Sequence, residues 1–85
     1  MDDEKFKTVV KSLHFKKSID KIKVDGNRII VKWTNDTGKK KKFAAALGAA
    51  TLAIAQDSPD FAEAAAKEFV HQWDTRPRGA QDDEA

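Results

Sequence analysis

The chain has 85 residues, no cysteine, and sixteen Lys/Arg against fourteen Asp/Glu, for a net charge of +2. That length holds one small domain, near the lower end of what a single core stabilises, and no disulfide can reinforce it. Lack of cysteine and of clustered His or carboxylate spacing argues against a metal centre, and no Ser/His/Asp pattern supports nucleophilic catalysis.

The net charge conceals a segregation. Residues 1–4 hold three acids; residues 5–57 hold thirteen Lys/Arg against four Asp; residues 58–85 hold three Lys/Arg against seven Asp/Glu. Basic material concentrated in the first two thirds points to a polyanionic partner more than overall pI does. The N-terminal MDDEKF has no basic stretch leading into an apolar one, and with the lack of cysteine this predicts a cytoplasmic protein.

In chain order, Asp2 to Phe15 reads as an amphipathic helix, with Phe6, Val9, Val10 and Leu13 at helical spacing. Acids at its start and Lys16–Lys17 at its end suit the helix dipole. His14 is read as structural rather than as a ligand.

Ile19 to Thr34 reads as a β-hairpin turning at Asp25-Gly26, a pair favoured in two-residue turns. That register sets Val24 against Asn27, Ile22 against Ile29 and Lys23 against Arg28. One face gathers Val24, Ile22, Ile29, Val31 and Trp33. The other gathers Lys21, Lys23, Arg28 and Lys32.

Thr34 to Gly38 is a turn cluster, and Lys39 to Phe43 is a candidate third strand. A five-residue loop would set Trp33 against Lys39 and Ile29 against Phe43, with Lys40 and Lys42 joining the basic face. Otherwise Lys39–Lys42 form a loop or open a helix, where four cations would meet the positive end of its dipole.

Phe43 to Ala55 carries no charge and is too short to cross a bilayer. It is expected to be a buried core helix, with Phe43, Leu47, Ala50 and Ile54 on one face. Ser58, Pro59 and Asp60 cap and start a second helix with an apolar face from Phe61 to Trp73. The short link makes the two an antiparallel, alanine-rich pair. An apolar first member leaves a homodimer open. Residues 76–85 read as a disordered acidic tail beyond a single domain over 1–75.

The fold expected is therefore α+β: an N-terminal helix, a small antiparallel hairpin or three-stranded meander, then an alanine-rich antiparallel helical hairpin. Over residues 4–56 the order helix, strands, lysine run, alanine-rich helix resembles double-stranded-RNA-binding domains. Lys39-Lys40 match the paired lysines of that family, while Phe43 stands where its motif has another lysine. The helix from Ser58 is additional. The resemblance implies that the lysines open the last helix and grip phosphates.

The function expected is a non-enzymatic binding protein without cofactor or metal. Lys21, Lys23, Arg28, Lys32, Lys39, Lys40, Lys41 and Lys42 would contact the backbone of a nucleic acid. With thirteen lysines to three arginines, phosphate contact outweighs base reading. Trp33 and Phe15 are candidates for base stacking. The alternative is a protein-binding regulator that uses the basic face or the alanine-rich helices.

Overall fold

Asp2 opens the first helix by accepting a hydrogen bond from the Lys5 N–H at 3.0 Å, with Asp3 and Glu4 in the first turn. A capping carboxylate and early acids satisfy free N–H groups and oppose the dipole. In the computed structural model, which describes residues 1–76 and the backbone of Asp83–Glu84, this helix α1 covers Asp3–Ser12. It stops short of Phe15 for a specific reason. His14 takes φ +73°, its N–H bonds the Lys11 carbonyl, and the Phe15 N–H bonds the Val10 carbonyl. This left-handed closure ends the helix and swings Phe15 into the core beside Val10.

Strands β1 (Ile19–Asp25), β2 (Arg28–Thr34) and β3 (Lys40–Ala46) form an antiparallel meander. A single helical turn, α2 (Ala49–Leu52), leads to the long helix α3 (Pro59–Thr75). A two-residue strand, β4 (Asp83–Glu84), pairs antiparallel with the free edge of β3. The expected α+β order of helix, meander and helices is present.

Both hairpin registers differ from expectation by the same step. The first turn is Gly26-Asn27, not Asp25-Gly26, so Val24 faces Ile29, Ile22 faces Val31 and Asp25 faces Arg28. Gly26 has φ +60° and Asn27 is not left-handed, the pattern of a II′ turn with glycine first. In the second hairpin Val31 faces Phe43 and Trp33 faces Lys41 around the loop 35–39. Asn35 organises that loop, its Oδ1 accepting from the N–H groups of Thr37 and Lys39 and from the Thr37 hydroxyl. Each partner has moved two residues along. Because side chains alternate with period two, such a slip leaves the residues from Lys21 to Phe43 that pair in the sheet on their expected faces. Ile19 is the exception: plain alternation sets it with the lysines, but the irregularity between Ile19 and Lys21 turns it opposite Trp33 and against the core.

The uncharged block Phe43–Ala55 is not a core helix. Its first four residues belong to β3 and four later ones form α2. Alanine favours helices, but pairing with β2 runs as far as Arg28 opposite Ala46, and those non-local bonds override local propensity. The block is also only partly buried. Ala45, Leu47 and Thr51 are enclosed, whereas Ala49, Ala50, Leu52, Ala53 and Ala55 are exposed. The alanine-rich hairpin thus reduces to one turn packed beside α3.

Helix α3 starts as its sequence dictates. The Ser58 Oγ accepts from the Asp60 N–H at 3.1 Å, and Pro59 occupies the first helical position. Its inward face, Phe61, Ala62, Ala65, Ala66, Phe69 and Val70, is buried against α1 and the sheet. Phe15, Trp33, Phe43, Phe69 and Trp73 meet in edge-to-face contacts with centroids 5.0–5.8 Å apart. Such geometry adds about 0.5–1.5 kcal/mol per pair beyond area burial. Of the expected tail 76–85, residues 77–82 and 85 lie outside the described residues.

Candidate nucleic-acid interface

Helices α1 and α3 cover one face of the sheet and leave the other to solvent, the usual state of a small antiparallel sheet. Strand alternation sorts the residues between faces. Val24, Ile22, Ile29, Val31, Trp33, Phe43 and Ala45 point to the helices. The outer face receives Lys21, Lys23 and Asp25 from β1, Arg28, Ile30, Lys32 and Thr34 from β2, and Lys40, Lys42, Ala44 and Ala46 from β3.

Register then builds a row. Lys21 faces Lys32, and Lys32 faces Lys42, so three ammonium side chains stand abreast on adjacent strands. Strands lie about 4.8 Å apart, so the three Cα atoms span only about 10 Å. Lys23 and Lys40 flank the row and Arg28 lies at the turn end. Among residues 1–76 no carboxylate forms an ion pair with any of these six cations; the ion pairs there join Glu63 to Lys5 and Lys67. Asp25 faces Arg28, and Asp20, at an irregularity in β1, accepts a 2.6 Å hydrogen bond from the Thr34 hydroxyl.

Six of the eight expected site residues therefore share one surface. Lys41 does not. It faces Trp33, on the helix side at the end of the sheet. Lys39 belongs to the loop, where its backbone bonds both the side chain and the N–H of Asn35. Neither residue opens a helix, as the likeness to double-stranded-RNA-binding domains implied. The long helix begins instead at Ser58-Pro59-Asp60, without a lysine.

The stacking roles considered for Trp33 and Phe15 are closed by burial, at 1% and 2% exposed. All seven aromatic side chains lie in or against the core on the helix side. Lys17 stands 5.8 Å and 5.7 Å from the Trp33 and Trp73 ring centroids, and the Arg76 guanidinium lies over Trp73 at 3.5 Å. Among the described residues no group of three or more His, Cys, Asp or Glu is placed to hold a metal ion. No helix among them is long and apolar enough to cross a membrane.

The free edge of β3 went unnoticed in the sequence. Asp83 pairs with Lys42 and Glu84 with Lys41. Further along, the Gln72 side chain from α3 bonds both backbone groups of Ala46. Nothing local signals either contact, because each joins segments distant in the chain. Compared with known proteins, the chain matches no family model, no curated protein and no solved structure.

Proposed function

We propose that the protein is a non-enzymatic nucleic-acid-binding protein whose open sheet face engages the phosphate backbone of a duplex. The observation that carries this reading is the row Lys21–Lys32–Lys42, flanked by Lys23 and Lys40, with no ion pair to any of the five from residues 1–76. Like charges directly opposite one another on a sheet cost stability. A polyanion laid across the row offsets that cost, and released counterions drive the association. Lysine suits phosphates as a point charge, whereas reading guanine favours arginine, and among the described residues this face has a single one, Arg28. With no aromatic on the face, stacking of unpaired bases has no platform there. That favours backbone contact with little sequence preference.

The test is a salt titration with random-sequence duplex DNA, duplex RNA and single strands. Duplex binding should fall with a log–log salt slope of about −3 to −5, for roughly three to six phosphate contacts. Replacing Lys21, Lys32 and Lys42 with Gln should flatten the slope by about three units without unfolding the chain. Absence of duplex binding at low salt, or an unchanged slope in the substituted protein, would overturn the reading.

A further inference from the structure

We infer that the free edge of β3 is a strand-addition site for an extended acidic peptide of a partner protein, and that Asp83–Glu84 occupy it in the free chain. This does not depend on nucleic-acid binding, which uses the sheet's outer face. Backbone direction defines the edge. Leu47 donates toward β2, to Asn27, whereas both backbone groups of Ala46 point away from β2 to Gln72. Alternation then aims the N–H and C=O of Lys40, Lys42 and Ala44 outward. These outward ladder groups are what a fourth strand requires.

Two observations give the occupant its chemistry. The segment found there is extended, antiparallel and acidic, with Asp83 at Lys42 and Glu84 at Lys41. The edge itself presents Lys40, Lys41 and Lys42 in succession, so its charge complements an acidic strand. Among the described residues two pair there, although the edge runs from Lys40 to Ala44. A longer acidic strand would form more backbone bonds than Asp83 and Glu84 do. Gln72 closes the far end by taking both groups of Ala46, which limits the registers an incoming strand can adopt.

Binding of a fluorescein-labelled peptide with the sequence of residues 80–85 decides the matter. The chain carrying Asp83→Pro and Glu84→Pro should bind it more tightly than the unsubstituted chain. A gain of about tenfold is the factor for an edge that its own tail keeps about nine-tenths occupied. Adding Ala44→Pro, which removes an outward N–H and leaves the β2 ladder intact, should weaken binding with the circular dichroism spectrum unchanged. A peptide of the same charge with alternate backbone nitrogens methylated should fail to bind. Equal binding of the methylated peptide would mean charge attraction alone and would overturn the proposal, as would absence of binding to the Pro-substituted chain.

Discussion

The Gln72 side chain pairs with both backbone groups of Ala46, its Nε2 donating to the carbonyl at 2.6 Å and its Oε1 accepting from the N–H at 3.1 Å. One amide side chain of α3 thus takes the place of a strand at the end of β3. Ala46 is exposed, so water replaces the lost partner when the amide is removed. Gln72→Ala should cost about 0.5–1.5 kcal/mol. Gln72→Glu should cost more, because a carboxylate cannot donate and would face the Ala46 carbonyl. Urea unfolding with an unchanged m-value would check both.

His14 should be improvable. Its φ of +73° is a conformation that glycine adopts freely and histidine does not. The side chain is exposed, so its removal loses no packing. His14→Gly should stabilise the protein by about 0.5–1 kcal/mol, the left-handed strain removed less the entropy glycine adds to the unfolded chain. A thermal melt showing a lower midpoint would refute the assignment of that strain.

Two glycines should respond differently to alanine. At Gly26 a Cβ meets nothing within 4 Å, so the whole cost, about 1–3 kcal/mol, comes from a positive-φ turn backbone. At Gly48 the backbone is ordinary, with φ −74°, but a Cβ would lie 2.9 Å from Glu68 Oε1, which accepts the Gly48 N–H at 2.7 Å. The penalty at Gly48 should therefore shrink when Glu68→Ala is already present, while that at Gly26 should not. A double-mutant cycle measures the difference.

Lys32 stands between Lys21 and Lys42. Lys32→Gln should raise stability by a few tenths of a kcal/mol through relief of repulsion. It should also weaken duplex binding and flatten the salt slope by about one unit. Thermal melts and anisotropy titrations on one preparation would show these opposite signs. Added salt should raise the melting temperature of the unsubstituted chain more than that of the variant.

The acidic strand beside Lys41 and Lys42 should oppose polyanion binding. Neutralising Asp82, Asp83 and Glu84 to their amides should tighten duplex binding at low salt, with the gain vanishing as ionic strength rises. Equal affinity at low salt would show that these acids lie electrostatically remote from the row.

Much of the outer face was legible in the chain because strand alternation is local. Lys21, Lys23, Arg28 and Lys32 are sorted from Val24, Ile22, Ile29 and Val31 by parity alone, so an error of two residues in both hairpins left the surface intact. Parity says nothing about which residues stand abreast. The Lys21–Lys32–Lys42 row, and the pairing of Asp25 with Arg28 in place of Lys23 with Arg28, follow from turn geometry at Gly26 and loop bonding at Asn35.

Local chemistry alone determined the capped start at Ser58-Pro59, the burial of the apolar strand positions and the α+β class, since each depends on neighbours in the chain. Tertiary structure decided the rest. Ala44–Ala46 is strand rather than helix because β2 supplies partners, and once the lysine run is held as a strand, alternation turns Lys41 to the helix side. The β3 edge meets Gln72 and the acidic Asp83–Glu84 only when distant segments come together. Hydrogen bonds between remote residues leave no periodic trace in the sequence, and here they choose among conformations that local propensity leaves close in energy.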